Sequence, residues 1–361
     1  MCSSELLPLI RMLELNVNSG LGVKMKVNSF PSLTWNFLNI NNAKTDFDFS
    51  IFPIVDGEVE IPVDFKSICT GLGCEFDSAM DSRYSGTSRP QYFDVCEKDV
   101  LEKIDFSNSG ENSFSDIVIR AAAGSDSTFI LSYKNHCAKS LGSRVRIEVE
   151  ENARIHLVTV NMLDSDAMVF NSVGARVSDS GVFEYTELEL GGAKTYTGTH
   201  VELSGYKSQF VGHASYAVRN SGLLDMNQVV DQKGQCTESH FTVDGVLMDF
   251  AQKTWRGTID FKHGCAQSIG DEQEDVLLLS PEVTNKSLPV ILCDEEAVEG
   301  RHGCSIGKLD MEKLFYMQSR GVDESTARKL LTRAKVNKVA RFIEDEELVE
   351  EINSFVDRII G

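Results

Sequence analysis

From about Ser115 to Gly307 the chain alternates apolar and polar residues with period two. Val145, Ile147 and Val149 alternate with Arg146, Glu148 and Glu150. Leu188 and Leu190 alternate with Glu187 and Glu189. Trp255, Gly257, Ile259 and Phe261 alternate with Thr254, Arg256, Thr258 and Asp260. That period places successive side chains on opposite faces of an extended strand and is incompatible with a helical stripe. Small-residue turn signals punctuate the run at Ser180-Gly181, Gly191-Gly192, Ser204-Gly205, Ser221-Gly222, Lys233-Gly234 and Asp244-Gly245. Short strands at regular spacing make a sandwich, a barrel or a solenoid. The length of the run, its lack of helical period and a total of only 7 prolines in the chain favour the solenoid. A sandwich satisfies the same alternation.

The two ends read differently. Residues 1–105 form a mixed N-terminal region: a short helical start, then "FPSLTWNFLNI", then turn-rich stretches such as "DSRYSGTSRPQ". Residues 106–307 are the β-body, and residues 308–361 are a helical module. In that module "LDMEKLFYMQSRG" reads as a helix stopped by Gly321. Asp323 caps a second helix with an apolar face at Ala327, Leu330, Leu331 and Ala334. A third helix aligns Leu348, Ile352, Phe355, Val356 and Ile359.

Composition excludes several functions. A net charge of −20 opposes binding to a phosphate backbone or an acidic membrane surface. No run approaches the roughly 20 apolar residues of a membrane span. The start, "MCSSELLPLIRMLELNV", has no basic n-region, and Arg11 interrupts its apolar stretch, so it does not read as a secretory leader. Nine cysteines, scattered with no Cys-x-x-Cys pair, fit reduced thiols in the cytoplasm. There is no phosphate loop, no dinucleotide fingerprint, no nucleophile elbow and no His-Glu-x-x-His. The expectation is a protein without a nucleotide of its own, and not an enzyme.

His-Gly-Cys occurs twice, at His263/Cys265 and at His302/Cys304. A Cys two positions from a His lies on the same face of a strand, so both can reach one soft metal. The alternative is a strand-end turn with a buried Cys, and His263/Cys265, just past the alternating run 254–261, fits that better. The pairs are 39 residues apart, from 263 to 302. With coils of roughly 20 or more residues stacked about 4.8 Å apart, that is two coils and about 10 Å. Metal–ligand bonds are only about 2.0–2.3 Å, so the pairs do not share an ion.

From about Gly212 to Leu331 the chain resembles the SufB/SufD family of iron–sulfur cluster assembly scaffolds. The resemblance runs through "GHASYAVRNSGLLDMNQVVDQKGQCTESHFTVDGVLMD", "WRGTIDF", "DVLLLS" and "LPVILCDEEAVEGRHGCSIGKLDMEKLFYMQSRGVDESTARKLL". It implies a right-handed parallel β-helix followed by C-terminal helices. It also implies two partners: a SufC-like ABC ATPase on those helices and a SufB-like scaffold along the β-helix. His302-Gly303 is similar to the D-type pattern, whose His is implicated in cluster assembly at the interface of the two scaffolds. Both B-type marks are absent: a Glu after this His, and a Cys after the Leu277-Leu278-Leu279 strand. The chain departs from the D-type pattern at Gly300, often Cys, and at Cys304, usually Ala. The expectation is therefore a D-type scaffold that holds a transient iron–sulfur cluster through His302 and Cys304. Two alternatives stand beside it: a sole scaffold acting as a homodimer, and a carbohydrate-active β-helix.

Overall fold

The computed structural model describes residues 25–32, 39–53, 63–84 and 90–360. The helical start expected at the N-terminus lies outside them. A short antiparallel pair, β1 (Met25–Val27) and β2 (Ala43–Thr45), two short 3-10 turns and one α-helix, α1 (Cys74–Tyr84), come first among the described residues. Sixteen solenoid strands follow: β3 (Gln91–Val95), β4 (Val100–Asp105), β5 (Asn112–Ala121), β6 (Asp126–Tyr133), β7 (Ser140–Val149), β8 (Arg154–Asn161), β9 (Met168–Val177), β10 (Val182–Glu189), β11 (Lys194–Leu203), β12 (Gln209–Val218), β13 (Leu223–Gln232), β14 (Glu238–Leu247), β15 (Gln252–Phe261), β16 (Ile269–Leu278), β17 (Thr284–Cys293) and β18 (Glu299–Lys308). Three helices close the chain: α2 (Met311–Ser319), α3 (Glu324–Ala340) and α4 (Glu346–Ile359). No helix among the described residues is long and apolar enough to cross a membrane.

The strands form two parallel sheets of eight, one of odd-numbered strands (β3 to β17) and one of even-numbered strands (β4 to β18). Each strand pairs in register with the strand two places on, so one coil is one odd and one even strand. The mainly β, solenoidal architecture read from the alternation is thus the observed one. Its first paired strands, β3 and β4, lie within the stretch read as mixed. A coil takes 28 residues near Arg144 and 32 near Lys253. The 39-residue spacing of the two His-Gly-Cys tripeptides is therefore not two coils, and that expectation is corrected. His263 sits in the corner after β15, whereas His302 lies within β18.

One corner column is built from residues in the left-handed region: Asn152, Ser180, Lys207, Cys236 and Gln267, with φ between 53° and 63°. Each donates its N–H to the coil above, Ser180 to the Tyr206 carbonyl and Cys236 to the Ala266 carbonyl at 2.8 and 3.0 Å. Stacking supplies the partner that a lone tight turn would leave to water. Asp244-Gly245 is not a turn, contrary to the sequence reading. Both residues lie inside β14, and a Cβ on Gly245 would stand 1.9 Å from the Tyr216 ring, so the glycine makes room for that ring.

The space between the sheets is the main core, with stacked rings such as Phe183, Phe210 and Phe241 at centroid spacings of 5.5 and 6.0 Å. The outer faces are covered as well. Phe49, Phe52, Phe76 and Leu72 of the N-terminal region pack on Phe170 and Tyr196 of the odd sheet. Helices α3 and α4 cover Val158, Val160, Leu188 and Leu190 of the even sheet. This reverses the simplest reading of the Leu188/Glu187 alternation: the leucines face the helices, and Glu187 and Glu189 face the interior.

Gly321, at φ 84°, ends α2 as expected, with Val322 N–H returning to the Met317 carbonyl at 3.1 Å. Asp323 caps α3 by accepting from the Thr326 N–H. The stripe on α4 is as read. That on α3 is rotated: Ala327, Val336, Val339 and Ala340 are buried, while Leu330 and Ala334 are exposed. The cause is charge. Lys335 and Lys338 of α3 both reach the buried Asp244 carboxylate, at 3.1 and 2.7 Å, and fix the roll of the helix on the sheet.

Candidate functional site

Strands β17 and β18 are the last of their sheets, so the final coil has an interior but, among the described residues, no further strand paired above it. Register places Gly300, His302, Cys304 and Ile306 over Gly270, Glu272, Glu274 and Val276 of β16. Those four β16 residues are its buried, inward-facing row, while Gln273 and Asp275 are exposed. Because parallel neighbours in register share a face, His302 and Cys304 belong to the interior row. The Cys304 thiol bears this out by reaching Glu274 Oε2 at 3.6 Å. Both residues are nevertheless exposed, through the open end of the solenoid.

Beneath them lies a buried charged cluster. Lys253, from β15, forms an ion pair with Glu274, and neither side chain is accessible. Lys253 also donates to Asn285 Oδ1 and Ser287 Oγ at 3.0 and 3.1 Å. Tyr216 donates to Glu274 Oε1 at 3.1 Å. Burial pulls the Lys253 ammonium below its ordinary range, and Glu274 opposes that shift. The Cys304 thiol is pushed up by burial and by the Glu274 carboxylate, against hydrogen bonding from Ser287 and the charge of Lys253. Glu272, directly under His302, is pushed up to about 8 by burial, with Asp271 and Glu274 adding repulsion. Among the described residues its Oε1 has no hydrogen-bond partner, and the Val290 N–H is the one group that works against the shift. A neutral carboxyl at this position is the form that costs least to bury.

A polar seam continues down the core. Trp255 donates to Gln228 Oε1, and Gln228 donates to Glu187 Oε2 at 3.4 Å. Thr197 also donates to Glu187. Asn161 donates to Glu189 Oε2 at 2.7 Å. Burial pushes Glu187 up to about 7 and Glu189 up as well, as adjacent carboxyls in a dry core must share protons.

Sequence reading singled out His302 and Cys304 and passed over Lys253, Glu272 and Glu274. A signal was present. Lys253 stands two residues before Trp255, so the alternation that puts Trp255 inside puts Lys253 inside too. The other tripeptide is a corner. Cys265 is buried against Ile259 and Phe261, and the Gly264 N–H donates to Glu295 Oε2 at 3.0 Å. The structure does not bring the two tripeptides together. Among the described residues, no group of three or more His, Cys, Asp or Glu side chains is arranged to hold a metal ion. His302 and Cys304 thus leave one imidazole and one thiol accessible at the open end, a partial donor set that a facing surface would have to complete.

Residues 105–335 match a family model described as SUF system FeS cluster assembly, SufBD core domain. The chain is similar to the iron–sulfur cluster assembly protein SufD of Bacillus subtilis, with 26% identity over 125 residues, 35% of this chain and 29% of that protein. It is 26% identical over 241 residues to SufD of Escherichia coli, covering 64% of this chain and 55% of that protein. A third relative is SufD of Plasmodium berghei, 21% identical over 230 residues, 62% of this chain and 17% of that protein. The chain spans about half or less of the length of these relatives.

Proposed function

From the premise that this chain belongs to the SufBD family of SUF-system iron–sulfur cluster assembly proteins, we propose that it is a D-type scaffold subunit whose open solenoid end forms half of a cluster-assembly interface. The chain itself catalyses no bond-making step in this reading. A SufB-like scaffold meets the terminal coil, and the nascent cluster is cargo held between the two.

The observation that carries the reading is the placement of His302 and Cys304 on the interior row of a coil that has no successor. Elsewhere that row is core; here it is accessible. Edge strands with free N–H and C=O groups also invite a second β-structure to pair with them. The Cys304 thiol must lose its proton to ligate, and burial with Glu274 resists that loss. Iron arriving with a partner's ligands would displace the proton, and Lys253 beneath would hold the resulting thiolate. A SufC-like ATPase docks on α2, where Phe315 and Tyr316 are 72% and 59% exposed.

The test is co-expression with SufB-like and SufC-like partners, followed by iron and sulfide analysis of the purified complex. His302→Ala should leave the complex intact and remove most of its iron and sulfide. His263→Ala should change neither. Equal iron in both variants, or loss of the complex itself in His302→Ala, would assign His302 to packing.

A further inference from the structure

A second pair of cysteines lies far from the terminal coil. Cys69 and Cys74 flank a turn closed by Gly73 N–H to the Thr70 carbonyl at 3.0 Å, with Gly73 at φ 101°. The turn is clamped to the odd sheet. Gly71 N–H donates to the Val173 carbonyl at 3.1 Å, and Leu72 N–H to Ser172 Oγ at 3.0 Å. A Cβ on Gly71 would stand 1.9 Å from the Gly198 carbonyl carbon, so backbone meets backbone there. Thr70 is tied to α1 through Asp77, at 2.9 and 2.7 Å. The backbone between the cysteines is therefore held from both sides, while both residues are exposed.

The closed turn makes Cys69 and Cys74 neighbours, and each thiol acts on the ionisation of the other. Cys74 opens the eleven-residue helix α1, where the unpaired N–H groups favour a thiolate. Around it, Cys69 and the His200 imidazole of β11 favour its charge, and burial and Asp77 of α1 oppose it. The balance brings Cys74 down to about 6, while the neighbouring Cys74 and burial drive Cys69 up, with Asp77 and Glu202 adding to the effect. An exposed, acidic thiol beside a second, less acidic thiol is the arrangement of an attacking and a resolving cysteine.

We propose that Cys69 and Cys74 form a thiol–disulfide exchange site that takes low-molecular-weight aliphatic disulfides of the glutathione type. The Cys74 thiolate attacks one sulfur of the disulfide. An S–S bond forms to Cys74, and one thiolate leaves. Cys69 gives its proton to that thiolate and attacks the Cys74 sulfur. The Cys69–Cys74 bond forms and the second thiolate departs, protonated by solvent. The protein pair loses two electrons and the small disulfide gains them, yielding two thiols.

The experiment uses the reduced full chain, oxidised glutathione as the probe, and mass mapping of the cysteine peptides. Wild type should acquire the Cys69–Cys74 bond with no glutathione retained at either residue. Cys69→Ser should trap glutathione on Cys74, and Cys74→Ser should leave Cys69 unmodified over the same period. Alkylation at about pH 6 gives a rate. Half of Cys74 is then thiolate, against about one-thousandth of a thiol at the ordinary 9.0. That is an advantage of about 500-fold, reduced by about 20–30-fold for the weaker nucleophile. Cys74 should react about 20-fold faster than the same sequence as a free peptide. The proposal is overturned if Cys74 reacts no faster than the peptide, if Cys69→Ser traps no glutathione, or if wild type keeps glutathione on Cys74 with Cys69 still reduced.

Discussion

Glu272→Gln tests how dry the floor of the terminal site is. In the folded protein this carboxyl is pushed from 4.5 to about 8, chiefly by burial. Below about pH 4.5 it is neutral whether the chain is folded or unfolded, and it places no pH-dependent load on the fold. Between about 4.5 and about 8 the unfolded chain releases this proton and the folded chain keeps it. The unfolded state then binds fewer protons, so stability falls as pH rises through this window and levels off above it. At about 1.4 kcal/mol per pKa unit, the whole loss is at most about 4–5 kcal/mol. Glutamine copies the shape of the neutral acid and cannot ionise. Urea unfolding of both proteins should therefore give nearly equal stabilities at about pH 4. By about pH 8 the variant should lead by several kcal/mol. Other raised carboxyls, Glu187 and Glu189, tilt both curves alike and cancel in the difference. Parallel curves across the window would refute the reasoning, because they would mean that Glu272 is ionised and hydrated beneath His302.

Lys253→Met strands the buried Glu274 and should cost about 3–5 kcal/mol in urea unfolding, with Lys253→Met/Glu274→Met costing less than the two single changes together. A cost below about 1 kcal/mol would mean that water already screens the pair. Phe315→Ser/Tyr316→Ser should leave stability within about 0.5 kcal/mol, since both rings are exposed, yet weaken pull-down of a SufC-like ATPase at least tenfold. Unchanged pull-down would move that contact off α2. Removing residues 311–360 uncovers Ile130, Val158, Val160, Leu188 and Leu190, each worth about 1.5–3 kcal/mol when buried. The truncated chain should bind a hydrophobic dye or precipitate, and a soluble, fully stable product would show that the helices do not support the solenoid.

The period-two alternation carried the architecture because each solenoid strand obeys it on its own, whatever lies above or below. It failed to say which face is inside. Leu188 and Glu187 follow the rule equally well whichever way the strand is turned, and the apolar face proved to be the one under α4 and α3. Only the covering helices, remote in sequence, decide that. Lys253 was legible by phase alone, yet a lysine inside a core contradicts ordinary burial preferences, which need the paired Glu274 to be satisfied. His302 and Cys304 pose the same problem at the scale of the whole molecule. By phase they are interior residues, and in any earlier coil they would be packing. They reach solvent only because the solenoid stops at β18 and leaves their row open. Coil number is a global count that no local pattern contains. The terminal coil therefore turns an ordinary core position into an accessible one without any change of strand geometry, and it does so above two buried carboxyls and an ammonium whose charges depend on what is placed over them.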